Sequence, residues 1–386
     1  MNYYNLKPRY YFGEGAVSCL EGEFARRKFK KALILYGGGS IKLNGAYDDV
    51  VKQLQKANID FVEFSGIEPN PRDTTITSAI DFVINNGVDL ILAVGGGSVV
   101  DASKVIATLA TNRSKYNTVW DYVTNPKQLQ QLPIPIISVI TLAGTGSENN
   151  AGSVVTNLDK KLKKGVHQQY AIPYVAIEDP TYTYTVNAWQ TASGIFDCFS
   201  HLLEQYFGQN TFEWTKEIIF AQLRVLLKYA KFVIDNPTDF TSRANILWTT
   251  SMALNSTTSF ASDSDWNVHT LEHAFSGKWD ITHGAGLALI TPTYLEIRGK
   301  KEEWFYKKVE HLGKEVFKVS NFEETILFLK SFIKAIGLPL KWNEFKEITS
   351  FDESDVNELL NHSLQFGDES LKETYLEVLN TLKNDI

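Results

Sequence analysis

The chain has 386 residues, 44% hydrophobic and 22% charged, which is typical of a globular protein, and its length predicts two domains. Its 38 basic and 45 acidic residues give a net charge of −7, which argues against nucleic acid or an anionic membrane as a partner. Two cysteines, Cys19 and Cys198, imply no disulfide framework. Without a signal-peptide pattern or an apolar run near the roughly 20 residues of a membrane span, we expect a cytoplasmic protein.

The first half of the chain alternates apolar runs with helix-periodic segments. Strand-like runs occur at KALILY (31–36), IDFVEF (59–64), VDLILAVGGGS (88–98) and IPIISVITLAGTGSE (134–148). Helices are predicted over residues 45–58, 73–87 and 99–111. The second of these helices is expected to start at Asp73 as its N-cap and to end at Gly87. Buried strands that alternate with helices predict a doubly wound, Rossmann-like parallel sheet covered on both sides.

The pattern changes after about residue 185, where long helix-periodic segments replace the strands. We place the boundary near Tyr182–Asn187. The sequence therefore predicts an α/β domain over residues 1–184 and an all-helical domain over residues 185–386.

Three strand exits in the first half are rich in small residues. They are Gly37-Gly38-Gly39-Ser40, Gly95-Gly96-Gly97-Ser98 and Gly144-Thr145-Gly146-Ser147. Backbone amides in such turns, just before a helix, can donate to phosphate oxygens, so the runs favour a dinucleotide site. The alternative is that they are only tight turns. The G-x-G-x-x-G fingerprint and the P-loop are both absent, so a dinucleotide would bind by a variant of the doubly wound scheme.

The end of the first glycine run bears on the choice between NAD and NADP. Sites that prefer NAD usually place an acidic side chain on the ribose 2′-hydroxyl. Here the run ends in Ser40, with Lys42 nearby, and both can bind a 2′-phosphate. This favours NADP(H), the alternative being an ordinary surface turn.

The segment HTLEHAFSGKWDITHG gathers three of the seven histidines of the chain. Upstream, Asp197 and His201 are four residues apart and share one face of a predicted helix. With His269 and His283 they form a three-nitrogen, one-oxygen set that suits Zn²⁺ or Fe²⁺. His283 is expected in a loop, because WDITHG breaks the helical pattern. Each residue alone is more often an ordinary core residue, so the signal is their conjunction.

Several neighbours of this set have open roles. His273 could be a fifth ligand, a proton relay or a packing residue, while Glu204 and Glu272 could support the ligands or lie at the surface. Four aromatic residues could line an apolar pocket or belong to the core: Phe196, Phe260, Trp266 and Phe275.

The chain resembles the iron-containing (group III) alcohol dehydrogenase family over nearly its full length. The matching segments are YGGGSIKLNGAYDDV, ILAVGGGSVVDASK, TLAGTGSENNAGSV, DPTYTYT, GIFDCFSHLLEQYF and HTLEHAFSGKWDITHGAGLAL. The pattern is most similar to the branch of NADPH-dependent butanol dehydrogenases and aldehyde reductases. The resemblance implies a dehydroquinate synthase-like architecture and a homodimer.

The resemblance also implies roles for individual residues. Asp197, His201, His269 and His283 match the metal ligands, and His273 matches a residue beside the nicotinamide and substrate. The positions implied to bind the cofactor are Gly38, Gly39, Ser40, Gly95, Gly96, Gly97, Ser98, Asp101, Thr141, Thr145, Asn150, Lys163 and Tyr182.

The implied reaction is reversible hydride transfer between NADP(H) and a primary alcohol or aldehyde, with Fe²⁺ as the expected metal and Zn²⁺ as the alternative. Three rivals stay open. Two belong to the same superfamily: a polyol oxidoreductase similar to glycerol dehydrogenase, and a lyase similar to dehydroquinate synthase. The third is a nucleotide- or metal-binding protein without catalytic activity.

Overall fold

The computed structural model describes residues 8–385, and the strands of its first half form two sheets. The strands are β1 (Arg9–Phe12), β2 (Lys31–Leu35), β3 (Asp60–Phe64), β4 (Leu90–Gly95), β5 (Ile136–Ile140), β6 (Gly152–Asn157), β7 (Leu162–His167) and β8 (Val175–Glu178). Six of them form a parallel sheet in the order β1-β8-β5-β4-β2-β3, and β6 and β7 form an antiparallel hairpin. The predicted parallel sheet is confirmed.

Helices cover both faces of this sheet. They are α1 (Leu20–Arg26), α2 (Ala46–Lys56), α3 (Asp73–Asn86), α4 (Gly97–Asn112) and α5 (Val119–Thr124). Alternate residues of each strand point to opposite faces, so Ile34 packs with α1 and α2 whereas Leu33 packs with α3, α4 and α5. Both faces are therefore buried, which explains the continuous apolar runs of β4 and β5.

The ends of α3 test two predictions. Gly87 ends the helix in the left-handed conformation, with φ of 64°, as predicted. The predicted N-cap is wrong by one position, because Asp73 is already the first helical residue and Arg72 occupies the cap position, where its side chain makes no capping hydrogen bond.

The described part of the second half contains helices and connecting loops but no strands. Its helices are α6 (Ala188–Tyr206), α7 (Glu213–Asp235), α8 (Phe240–Met252), α9 (Asn267–Trp279), α10 (His283–Lys301), α11 (Glu303–Leu312), α12 (Phe322–Ala335), α13 (Glu353–Phe366) and α14 (Lys372–Asn384). One hydrophobic core joins them. The central helix α6 is buried from Thr191 to Tyr206. Between Pro8 and Asp385, we find no helix with the length and apolar character needed to cross a membrane.

Two glycines allow close packing around the first half of α6. A Cβ atom on Gly194 in α6 would lie 1.9 Å from the carbonyl oxygen of Ala143, in the segment after β5. A Cβ atom on Gly284 in α10 would lie 1.9 Å from the carbonyl oxygen of Ser193. The start of α10 and the exit of β5 therefore both pack against the first half of α6.

The predicted loop position of His283 is wrong, because His283 is the first residue of α10. Asp280 leaves α9 in the left-handed conformation, with φ of 54°, and Thr282 is extended before α10 begins. The break in periodicity is real but spans only residues 280–282.

Candidate active site

A cavity of about 840 Å³ lies between the two halves of the chain. Ser98, Asp101 and Thr145 line it from the α/β half, and Asp197 and His269 line it from the helical half. Its α/β wall includes the carboxyl edge of the sheet, which is where open α/β sheets bind their ligands.

The four predicted metal ligands come together in this cavity. Asp197 and His201 lie one turn apart on α6, and His201 Nε2 is 3.3 Å from Asp197 Oδ1. The Nε2 atoms of His269, on α9, and His283, on α10, each lie 3.7 Å from the same oxygen. Three imidazole nitrogens from three helices thus surround one carboxylate oxygen.

The donor atoms of this site fit a divalent metal. Asp197 Oδ1 and His269 Nε2 are buried and have no hydrogen-bond partner among residues 8–385, which is costly unless a ligand satisfies them. Ligand atoms of Asp197, His269 and His283 all lie within 4.8 Å of one another. Nitrogen and oxygen donors in this combination suit Fe²⁺ or Zn²⁺.

The protonation states at the site differ. Burial opposes ionisation of Asp197, but the three histidines hold the pKa of its carboxyl below the usual range. Burial lowers the pKa of His201 to about 4, so its imidazole is neutral at pH 7. Burial has the same effect on His269, but Glu204 and Asp197 outweigh it and raise the pKa of His269 to about 10. Because a metal-bound imidazole nitrogen carries no proton, metal binding at His269 would compete with its protonation.

Two buried glutamates orient two of the histidines. Glu204 Oε1 contacts His269 Nδ1, and its Oε2 accepts the backbone N–H groups of Val268 and His269 at 2.9 and 3.1 Å. Glu272 Oε2 contacts His283 Nδ1. A carboxylate on Nδ1 fixes the tautomer and turns Nε2 toward the ligand position. The sequence left both roles open, although the spacing of Glu204 from Asp197 and His201 already puts it on their face of α6.

His273 lines the same cavity. Its ring centroid lies 5.5 Å from that of His283 and 6.3 Å from that of His269. Burial, together with the nearby Lys163 and histidines, holds the pKa of His273 well below its usual value, so the ring is neutral at pH 7. Ligand atoms of His273, Glu272 and His283 also lie within 4.8 Å of one another, but Glu272 already contacts His283 Nδ1.

Lys163, on β7, connects the two halves at the cavity wall. Its Nζ donates to Asn70 Oδ1 at 2.9 Å and lies 3.5 Å from Glu272 Oε2 and 3.3 Å from His283 Nδ1. The Lys163 side chain is 4% exposed, so its ammonium group is buried among these neighbours. Asn70, which also donates to Asp280 of the segment before α10, was not predicted.

The second glycine run lies at the carboxyl end of β4, where Gly97 begins α4. A Cβ atom on Gly97 would lie 2.2 Å from Thr145 Oγ1, and one on Gly95 would lie 2.6 Å from Val99 Cγ2. Gly96 is extended and occupies the N-cap of α4. The run thus leaves backbone amides at a helix N-terminus beside the cavity.

Polar residues beyond this run form a buried network. Asp101 accepts from the Ser147 hydroxyl and, at 2.9 Å, from the Val154 amide. Lys104 donates to Ser147 Oγ at 2.8 Å and to Asn150 Oδ1 at 3.4 Å, and burial lowers its pKa to about 8. Asp101 and Asn150 also line the cavity, whereas Lys104 was not predicted.

The other predicted cofactor positions lie outside the lining of this cavity. Tyr182 donates through its hydroxyl to Asp49 Oδ2 at 2.8 Å. The amide of Thr141 donates to the carbonyl of Gly95 at 3.1 Å. Gly38, Gly39 and Ser40 follow β2, and Gly39 has φ of 101°.

The aromatic candidates divide between cavity and core. Trp266 lines the cavity, and its ring lies edge-on to His201 at 5.9 Å and to His269 at 5.3 Å between centroids. Phe196 and Phe275 are fully buried in the helical core. Phe260 packs against Phe212 at 6.3 Å between centroids.

Comparisons with known proteins agree with this architecture. Residues 7–180 match the family model described as iron-containing alcohol dehydrogenase, and residues 191–375 match that of the C-terminal region of the Fe-containing alcohol dehydrogenase family. NADH-dependent butanol dehydrogenase A of Clostridium acetobutylicum is 38% identical, with 88% of each chain covered. NADPH-dependent aldehyde reductase YqhD of Escherichia coli is 30% identical, covering 97% of this chain and 96% of the relative.

A solved structure extends the likeness to the whole fold. NADH-dependent butanol dehydrogenase A of Thermotoga maritima superposes with a TM-score of 0.90 at 31% identity, covering 99% of this chain and 98% of the other. The sequence matches and the shared fold lead to one conclusion: the chain belongs to the iron-containing alcohol dehydrogenase family.

Proposed function

We propose that the protein is a metal-dependent alcohol dehydrogenase and aldehyde reductase. It transfers hydride reversibly between NADP(H) and a primary alcohol or aldehyde of butanol-like size. One observation carries the proposal: three histidine nitrogens lie within 3.7 Å of Asp197 Oδ1, in a cavity that also reaches Ser98 at the carboxyl edge of the sheet.

The residues around Asp197 have distinct tasks in this proposal. Asp197, His201, His269 and His283 hold the metal, with Fe²⁺ expected and Zn²⁺ as the alternative. When bound, the metal supplies Lewis acidity that stabilises negative charge on the substrate oxygen. The neutral His273 accepts the hydroxyl proton at a ring nitrogen during alcohol oxidation and returns it during aldehyde reduction. Trp266 forms a wall that excludes water from the reacting atoms.

Cofactor binding is assigned to the strand exits. The amides of Gly95–Ser98 bind the pyrophosphate at the start of α4. The preference for NADP(H) is supported by Ser40, which ends the first glycine run, and by the nearby Lys42. The named relatives include both an NADH-dependent and an NADPH-dependent enzyme, so the cofactor must be measured.

The proposal also includes a domain boundary, an oligomeric state and a cellular location. The domain boundary falls between residues 184 and 185, just before α6 begins at Ala188. The homodimer follows from the family resemblance. The cytoplasmic location is consistent with a chain of two cysteines, of which Cys198 is buried.

A rate assay tests the proposal. The protein is stripped with a chelator and supplied with Fe²⁺ or Zn²⁺, and NADPH oxidation by butyraldehyde is followed, with NADH in parallel. We expect metal-restored activity that favours NADPH and is absent in Asp197→Asn. Activity that favours NADH would keep the enzyme class and refute the cofactor preference. Activity with glycerol but not with butanol or butyraldehyde would instead support a polyol oxidoreductase.

A further inference from the structure

Four side chains form a cluster at the carboxyl ends of β2 and β3. This Glu63 cluster consists of Tyr36, Lys42, Tyr47 and Glu63. Glu63 accepts hydrogen bonds from both tyrosine hydroxyls, at 2.9 Å from that of Tyr36. Lys42 Nζ lies 3.5 Å from Glu63 Oε2, and 4.5 and 5.2 Å from the ring centroids of Tyr47 and Tyr36. Lys42 therefore contacts one carboxylate and two aromatic rings.

The cluster stands beside the strand exit that would receive the adenosine ribose. β2 is the neighbour of β4 in the sheet, so Gly37–Ser40 and Gly95–Ser98 leave it at the same edge. In doubly wound folds a pyrophosphate at one strand exit places the adenosine ribose near the next one. Ser40 and Lys42 lie at that next exit, and Glu63 comes from the strand beyond it.

Lys42 and Glu63 carry opposite charges and form an ion pair. Burial tends to raise the pKa of Glu63, but the hydroxyls of Tyr47 and Tyr36 and the Lys42 ammonium hold it below its usual range, so Glu63 is ionised at pH 7. The side chains of Lys42 and Glu63 are 47% and 32% exposed, so both can be reached by a ligand. A phosphate carries a charge of about −1.5 to −2, and it would meet a cation already paired with a carboxylate.

We propose that Glu63 is a specificity-determining residue, whose carboxylate holds Lys42 and thereby limits the preference for NADP(H) over NAD(H). The inference rests on the proposed function, because it assumes a dinucleotide at the sheet edge. It makes the preference a balance between Lys42, which attracts the 2′-phosphate, and Glu63, which opposes that attraction.

Binding measurements on the full-length, metal-loaded protein test this proposal. Kd values for NADP⁺ and NAD⁺ are measured by quenching of tryptophan fluorescence at about 50 mM ionic strength, where screening is moderate. For Glu63→Gln we expect NADP⁺ to bind about two- to fivefold more tightly, the range for a partly exposed charge pair, with little change for NAD⁺. Lys42→Gln should weaken NADP⁺ binding selectively. In the double variant, the gain from Glu63→Gln should shrink.

Asp60→Asn is the matched control. Asp60 is an exposed carboxylate at the amino end of the same strand, so its removal changes the net charge equally but at the opposite edge of the sheet. It should leave both Kd values unchanged. An unchanged ratio of Kd values in Glu63→Gln, or an equal change in Asp60→Asn, overturns the proposal about Glu63 alone. If the wild-type protein binds neither dinucleotide, the proposed function fails as well.

Discussion

At the scale of single residues, the candidate metal site depends on groups that do not themselves face the metal position. Glu204 and Glu272 hold the Nδ1 atoms of His269 and His283, and their side chains are only 2% and 0% exposed. A buried, charged carboxylate that contacts Nδ1 fixes the orientation of the imidazole. It also places negative charge on the side of the ring away from the metal position. In the part of the chain that the structure describes, His201 has no equivalent partner on its Nδ1.

Glu204→Gln should therefore weaken metal binding. The amide keeps the size of the side chain but loses the charge that fixes the His269 tautomer, and such losses typically cost about 10- to 100-fold in affinity. Competition with a chromophoric chelator for Zn²⁺ measures the change. The exposed Glu217 on α7 provides the matched control in Glu217→Gln, which should bind Zn²⁺ like the wild type. Equal affinities in both variants would show that Glu204 has no orienting role.

His273→Asn should separate chemistry from metal binding. The His273 ring groups with Glu272 and His283 rather than with Asp197, and Glu272 already contacts His283 Nδ1, so the metal content should stay the same. Loss of the proton acceptor should lower kcat by about 100-fold or more. Metal analysis and steady-state rates on one preparation give both values. If the metal is lost together with the activity, His273 is a ligand instead.

At the scale of secondary-structure elements, the approach of α10 to α6 positions His283. Gly284 directly follows this histidine, and it lies so close to the backbone of Ser193 that no side chain fits there. The first turn of α10 thus sets the distance between His283 and Asp197. This role was not evident from the sequence, where Gly284 is one of 25 glycines.

Gly284→Ala should destabilise the protein and loosen the metal site. The added methyl group must push α10 away from Ser193, and overpacking of this kind costs about 1–3 kcal/mol of unfolding free energy. Urea denaturation measures that loss, and chelator competition measures the metal affinity. Gly22→Ala is the control, because Gly22 lies in α1 and an added Cβ would meet no other described part of the chain within 4 Å. That variant should keep or gain stability, by about 0.5–1 kcal/mol.

At the scale of the whole molecule, a buried pair of carboxyl groups joins the two halves. Ser251, on α8, contacts Glu148, which follows β5, and donates at 2.8 Å to Glu178 at the end of β8. Burial raises the pKa of Glu148, although Ser251 and Lys104 oppose the shift. Burial and the neighbouring Glu148 raise the pKa of Glu178 well above its usual value. The pair is therefore most favourable when it is protonated.

This pair should make stability depend on pH. Because the folded-state pKa values exceed the unfolded ones, the contribution is fully present below the ordinary glutamate pKa and is lost as pH rises toward the raised values. The Glu178→Gln variant lacks one carboxyl group of the pair. The unfolding temperature of this variant minus that of the wild type should therefore increase from pH 5 to pH 8. The exposed Glu21→Gln should show a constant difference over that range. A constant difference for Glu178→Gln would mean that the pair does not titrate there.

Local patterns in the sequence determined much of this protein. The apolar runs of β2, β4 and β5 and the spacing of Asp197 and His201 are short-range features, and each predicted an element or a shared helix face. The glycine runs and the histidine segment also sufficed to recognise the family. Periodicity depends only on residues that are close in the sequence, so it can be recognised before the fold is known.

Only the tertiary structure decided the remainder. Strands β1 and β8 have four residues each, too few for a clear alternation, and they become strands by pairing with each other, with β8 also pairing with β5. Lys163 meets Asn70 and Glu272 across 93 and 109 residues, and Glu63 on β3 meets Lys42, which lies in the turn after β2. Such distant pairs leave no periodic trace in one sequence, because packing between elements, rather than the propensity of any segment, brings them together.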